Sequence, residues 1–314
     1  MTDSRFSLIH VSRCRGITRH WIRKVLQKDS SLQQLYQMTP QEINHYYQLP
    51  LKNATILYQD LHDDALLRQL ELEFNDFHVV TILDKCFSPM LKAIQDPPLV
   101  LYALGDINLL KQFPTLSVIG TRNPSREAMR KVARMIKPLV CQNWLIVSGM
   151  AKGVDRIAHE TTLDYQGKTI AVLGSGFYHI YPRENIKLFQ KIIEQGLVLS
   201  EYSPSIQPTR YHFPERNRII SGLSFGTLVI EATQKSGTMI TVDHALDQGR
   251  EVFAVPGSLF SEQTKGCHLL IQDGAKLVMS ANDILDEWNS LNNHTAFVKG
   301  KPGNFISKKN SEKV

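Results

Sequence analysis

The chain has 314 residues, 42% of them hydrophobic and 21% charged, enough apolar material for a full core and too much for a disordered chain. The formal net charge of +6 favours a polyanionic partner. No apolar run approaches the ~20 residues of a membrane-spanning helix, the N-terminus lacks the order of a secretion signal, and Cys14, Cys86, Cys141 and Cys267 are scattered without a C-x-x-C pair. Membrane insertion, a disulfide framework and a metal site are therefore not expected, and a reducing cytoplasm is the expected setting.

Residues from Phe6 to about Asn75 read as short helices. Ile17, Trp21, Val25 and Leu26 recur at helical spacing, with Thr18 as an N-cap after Gly16. Leu32, Leu35 and Tyr36 form a second short helix, Pro40 opens a third, and residues 61–74 form a fourth. Arg15-Gly16-Ile17-Thr18 is weakly similar to the hairpin of a helix-hairpin-helix or SAM-like module, in which a glycine lets backbone amides meet a phosphate; the leading alternative is that Gly16 simply caps a turn. Residues 79–83 and 99–103 are strand-like, with Pro97-Pro98 breaking the chain between them.

From Ser117 onward short apolar strands alternate with amphipathic helices, the pattern of a doubly wound parallel sheet. The strands fall at 117–120, 145–148, 169–173, 197–201, 227–231 and 251–255, and the helices at 126–139, 154–165, 184–195, 215–223 and 238–248. A helix at 266–273 and a strand at 276–278 follow. Beyond Asp286 the pattern fades into a segment carrying Lys299, Lys301, Lys308, Lys309 and Lys313, expected to be a mobile basic tail.

Ligands of open α/β sheets bind outside the carboxyl ends of the strands. Here those ends read Gly120-Thr121-Arg122-Asn123, Ser148-Gly149-Met150-Ala151-Lys152-Gly153 and Gly174-Ser175-Gly176, with Lys235-Ser236-Gly237-Thr238 before a helix. Glycine permits close backbone approach, and helix N-termini offer unpaired amides to anions. Gly120, Ser148, Gly149, Gly153, Gly174, Gly176, Ser236, Gly237 and Thr238 are thus candidate phosphate-loop residues, although βα turns also use glycine for geometry alone. Arg122, Lys152, Arg183, Arg210, Arg216, Asn217, Arg218 and Lys235 lie in the same loops, among Phe177, Tyr178, Tyr181, Tyr211 and Phe213, which offer faces for unpaired bases or pack the core.

The stretch from Tyr211 to Gly222 carries the most tension. Pro214 suits a helix start, yet Arg216 and Arg218 follow in the first turns, where the macrodipole disfavours cations by roughly 0.3–1 kcal/mol each. Either an anion sits beside them or a carboxylate within the fold does. Glu201 or Glu215 is a candidate internal partner for Arg216, which leaves Arg218 and Arg122 as the sharper contacts.

Catalytic patterns are poorly represented. No G-x-G-x-x-G and no G-x-x-x-x-G-K-[ST] is present. Asp155 and His159 share a helix face, but helix capping by Asp155 and a satisfied buried His159 explain them without acid–base chemistry.

Taken together, the motifs place the sequence by resemblance. Ser148 to Asp155 with Ala158-His159, residues 170–176, Tyr181-Pro182-Arg183-Glu184-Asn185, Ser200-Glu201-Tyr202, residues 212–222, 235–241 and 248–257, and Gly266-Cys267-His268-Leu269-Leu270 closely resemble the DNA-processing protein A family, DprA, also called Smf. The resemblance implies an extended Rossmann-like α/β fold with a mostly parallel sheet, behind a small all-helical SAM-like domain. It divides the chain into residues 1–75, 76–285 and a tail at 286–314. It also implies a non-enzymatic protein that binds and shields single-stranded DNA in natural transformation and helps load the RecA recombinase, as a homodimer without a cofactor. By the family pattern the arginine of Gly120-Thr121-Arg122 and the basic residues around Tyr181-Pro182-Arg183 and Phe213 to Arg218 line the DNA pocket. The segment after Asp286 is too short for the winged-helix-like domain that many members carry. Ser175 stands where the family often has cysteine. The competing reading is a nucleotide-processing enzyme akin to the lysine-decarboxylase-like phosphoribohydrolases, supported by Glu231 ahead of Ser236-Gly237-Thr238, although that group's P-G-G-x-G-T-x-x-E pattern is absent. A scaffold that contacts only proteins is a third.

Overall fold

Short runs of apolar residues, polar only at their ends, make strands that can be buried on both faces. The computed structural model, which describes residues 4–296 with side chains as far as Leu291, assembles nine of them into one sheet. They are β1 (His78–Thr81), β2 (Val100–Gly105), β3 (Thr115–Ile119), β4 (Leu145–Ser148), β5 (Thr169–Leu173), β6 (Leu197–Ser200), β7 (Gly226–Val229), β8 (Glu251–Ala254) and β9 (Lys276–Leu277). Across the sheet the order is β1-β2-β6-β5-β4-β3-β7-β8-β9. The β1–β2 and β2–β6 pairs are antiparallel and all others parallel. The order reverses at β3, flanked by β4 and β7, so the switch point at which such sheets bind ligands lies at the β3 and β7 carboxyl ends.

The helices are α1 (Ser4–Arg13), α2 (Arg19–Lys28), α3 (Pro40–Tyr47), α4 (Leu51–Leu61), α5 (Asp64–Asp76), α6 (Pro89–Lys92), α7 (Ala128–Val140), α8 (Val154–Asp164), α9 (Ile186–Gln195), α10 (His212–Gly222), α11 (Gly237–Asp247), α12 (Glu262–Gln272) and α13 (Ala281–Ala296). Alternation along each strand sends side chains to two cores. Ile170 and Val172 of β5 join Ile219 and Ile220 of α10, Leu223 just after it, Val242 of α11 and Leu270 of α12 on one face. On the other, Val118 and Ile146 meet Val132 and Ile136 of α7 and Ala158 of α8. Ala171 and Leu173 share that second face with Leu188 and Ile192 of α9 and with Leu8, Ile22, Val25 and Leu57 of the N-terminal helices. The helical segment therefore packs directly on the sheet.

The βα alternation, and with it the mostly parallel α/β sheet, follows the expected ranges closely. Two local readings need correction. Residues 51–61 form a separate helix, α4, and the next one starts at Asp64 because the Asp63 carboxylate accepts from Ala65 N at 2.8 Å and caps it. Gly16 takes φ +79°, as a turn glycine does, and a Cβ there would sit 3.1 Å from the Asn53 carbonyl. The chain also remains ordered past the expected boundary at residue 285. Ile284, Leu285, Trp288 and Leu291 line one side of α13, and Trp288 lies edge-on to Phe225 at 5.1 Å and Trp144 at 5.6 Å. The basic residues Lys299, Lys301, Lys308, Lys309 and Lys313 of the expected tail lie outside the described residues.

Candidate nucleic-acid interface

The loop from β3 to α7 is preset from below. Glu231, fully buried just past β7, accepts from Ser125 N at 2.8 Å, Ser125 Oγ at 2.6 Å and Lys131 Nζ at 2.7 Å. Its backbone carbonyl takes Thr121 N at 2.8 Å. A buried carboxylate held by three donors is a brace rather than a free base. Arg122 and Asn123 are left exposed on top of the loop.

The loop from β4 to α8 touches the first one. Gly153 has φ +79°, and a Cβ there would run into the Thr121 carbonyl and the Arg122 backbone, so only glycine fits. Asp155 accepts from Gly149 N at 3.2 Å, and Asn185 Nδ2 donates to the carbonyl of Met150, itself at φ +55°. Among the described residues the amides of Lys152 and Gly153, ahead of α8, have no acceptor, which leaves them free for an anion. Ser148, Gly149, Gly174 and Gly176 are buried under the edge. The Ser148 hydroxyl donates to Val118 O at 2.7 Å, and a Cβ at Gly174 would sit 2.9 Å from Phe213. Buried there, they shape the loops. Thr238 is also buried, whereas Gly237 is exposed as the first residue of α11, whose N-cap Ser236 makes no side-chain cap.

The two arginines of α10 point inward. Arg216 Nη1 donates to Gly149 O at 2.6 Å and to Val172 O, and Nε donates to Asn217 Oδ1 at 3.1 Å. Burial pulls its guanidinium down to about 10, still charged at neutral pH. The same burial pushes the Asp155 carboxyl up against the pull of Arg216. Arg218 Nη2 donates to both Glu201 oxygens, at 2.7 and 2.6 Å, and its Nε lies 3.3 Å from Asp96. The expected roles are thus exchanged. Glu201 holds Arg218, backbone carbonyls hold Arg216, and Glu215 is occupied by Arg19 and by the Tyr202 hydroxyl at 2.8 Å. Both arginines are buried, each held by acceptors within the fold. His159 Nδ1 lies 2.7 Å from Thr169 Oγ1 while Nε2 has no partner, and burial, then Arg216, lowers the ring to about 3. It stays neutral and is no acid–base group. Asp155, expected to cap α8, serves the Gly149 amide instead, and Gly153 holds the N-cap position.

What faces outward is basic and aromatic. Arg122 lies over the Phe213 ring at 5.8 Å, Phe213 is 5.5 Å from Tyr181, and Arg210 lies 4.6 Å over Tyr211. Tyr211, Tyr178 and Tyr181 are 66%, 60% and 48% exposed, enough ring area for a base to stack on. Phe177 is instead core, against Phe77 at 5.4 Å. Among the described residues, Arg122, Arg183, Arg210 and Lys235 have no carboxylate partner; Lys152 pairs with Glu184 at 2.7 Å, an exposed bridge worth at most about 1 kcal/mol. The brace by Glu231 and the anchor from Asn185 to Met150 escaped the sequence reading, since their partners are distant along the chain and no local pattern marks them. Among the described residues no cluster of His, Cys, Asp or Glu is placed to hold a metal ion, and no helix is long and apolar enough to cross a membrane.

Fold and rim define a class: a doubly wound, Rossmann-like α/β protein whose sheet carries a basic, aromatic-bordered carboxyl edge. The family model for DNA recombination-mediator protein A matches residues 78–289, and the chain belongs to that family, as its motifs implied. It is 46% identical over 210 residues to the DNA processing protein DprA of Bacillus subtilis (strain 168), covering 67% of this chain and 71% of that one. Protein Smf of Escherichia coli (strain K12) is 35% identical over 268 residues, covering 85% and 68%. The X-ray structure of DprA from Streptococcus pneumoniae superposes with a TM-score of 0.79 at 40% identity, covering 91% of this chain and 98% of that one. A Helicobacter pylori DprA structure, described for its single-stranded DNA binding mode, gives 0.61 at 30% identity, covering 68% and 97%.

Proposed function

We propose that this chain binds single-stranded DNA along the carboxyl edge of its sheet, shields incoming strands during natural transformation, and hands them to the RecA recombinase in the cytoplasm. The observation that carries this reading is the convergence of unpaired cations with exposed tyrosines over loops whose amides are open to anions. Phosphates would lie on Arg122, Arg183, Arg210, Lys152, Lys235 and the Lys152 and Gly153 amides, with Gly237 a further backbone contact. Bases would stack on Tyr211, Tyr181 and Tyr178. A relative at 30% identity whose structure is described for single-stranded DNA binding supports the ligand class. The protein acts by binding, without a cofactor: Glu231, the residue an enzymatic reading would use, is spent on Ser125 and Lys131. Residues 1–75 and the α/β unit from 76 act as two domains, and the protein works as a homodimer through the α/β unit.

Titration of labelled oligothymidine at rising salt tests this. Binding should weaken with a log–log slope near −0.7 per phosphate neutralised, and Arg122→Ala should lower both affinity and slope. Wild-type affinity and slope in a folded Arg122→Ala protein would refute the site.

A further inference from the structure

Asp96, in the segment between α6 and β2, draws arginines from two distant parts of the chain. Arg19 Nε donates to it at 2.8 Å and Nη2 lies 2.6 Å away; Arg23 pairs with its other oxygen, and Arg218 Nε lies 3.3 Å away. Arg19 also pairs with Glu215 in the first turn of α10. Arg19 is the first residue of α2, where the helix dipole disfavours a cation, and α2 has no acidic residue in its first turn to balance it. Asp96 and Glu215, both outside the helical segment, supply that balance.

From Glu215 the contacts run to the rim. Its second oxygen accepts from the Tyr202 hydroxyl at 2.8 Å, and the Tyr202 ring stacks on His212 at 4.0 Å. His212 Nδ1 lies 3.2 Å from the Gly174 carbonyl, and the next residue, Phe213, carries Arg122 over its ring. Ile22 and Val25 belong to the apolar cluster that joins the helical segment to the sheet, so the ion pairs are not the sole link between α2 and the body. Their geometry points to orientation instead.

We propose that Arg19 and Asp96 are positioning residues for the DNA rim: their clasp fixes the first turn of α10, and so the aromatic wall on which Arg122 rests. This rests on reading the rim as a single-strand site. Groups that orient a contact without touching the ligand change affinity but not the number of phosphates neutralised.

The test is oligothymidine titration of the full chain over a range of salt, comparing Arg19→Met, Arg19→Lys, Arg15→Met and Arg122→Ala. Arg15 pairs with Asp60 inside the helical segment at 2.6 Å and controls for the loss of any ion pair there. Arg19→Met should weaken binding about fivefold, the low end of site-to-site coupling, with an unchanged salt slope. Arg19→Lys, which keeps the charge but not the fork across two carboxylates, should recover part of the loss, and Arg15→Met should bind as wild type. Wild-type affinity in Arg19→Met alongside a weak Arg122→Ala overturns the clasp and spares the site. A reduced slope in Arg19→Met makes Arg19 itself a phosphate contact and overturns the positioning role. An equal loss in Arg15→Met reduces the effect to general destabilisation and overturns it too. Wild-type binding by Arg122→Ala removes the site reading and the clasp proposal with it.

Discussion

Arg216 shows that the most suggestive residue of a motif can turn into the fold. Its guanidinium is buried, donates to the carbonyls of Gly149 and Val172, and sits near Asp155, which in turn holds the Gly149 amide. The arginine thus locks the end of β5 to the loop that opens α8. Removing one charge from such a buried arrangement leaves the rest uncompensated, at a cost of about 3 kcal/mol. Arg216→Met should therefore lower stability by about that amount in urea unfolding. A variant of wild-type stability that had lost DNA binding would instead place Arg216 in contact with the strand. The inward turn of Arg216 and Arg218 was half legible in the sequence. Two cations at a helix start call for a negative partner, but whether that partner is a phosphate or Glu201 depends on contacts that no local pattern records.

Among the elements, the parallel strands and their helices were readable because each is a continuous apolar run or a periodic stripe between glycine-bearing loops. Helix α13 was not, because asparagines and acidic residues dilute the stripe of Ile284, Leu285, Trp288 and Leu291, and its partners Trp144 and Phe225 come from far upstream. The joint between α2 and α10 was equally invisible, although it carries a measurable pH signature. The arginines around Asp96 hold its carboxyl at about 2, below the ordinary value of 3.8, against the opposing effect of burial. A depressed folded-state value stabilises the fold above the ordinary range, and that stabilisation is lost as pH falls from about 4 towards 2. Because the Asp96 side chain is 35% exposed, solvent screening reduces the effect to about 1 kcal/mol. Asp96→Asn should be less stable than wild type by that amount at pH 7, and the two unfolding curves should converge near pH 2. A gap that persists at pH 2 would mean that packing, not charge, is what Asp96 contributes.

Across the molecule, one sheet edge gathers loops from β3, β4, β5 and β7, beside a switch point that the strand order creates. The helical segment shares a core with β5 and β6 of the same sheet and reaches the first turn of α10 through Arg19. This edge is braced below, where Glu231, Asp155 and Arg216 are satisfied internally, and open above, where Arg122, Arg183 and the tyrosines face solvent. The most direct measurement is a crystal structure of the full chain with bound oligothymidine. Phosphates should lie against Arg122 and the Lys152 and Gly153 amides, with bases stacked on Tyr211 or Tyr181, and with Arg216 and Arg218 still turned inward. A strand bound elsewhere, with this edge left empty, would contradict the assignment of the carboxyl edge as the DNA site.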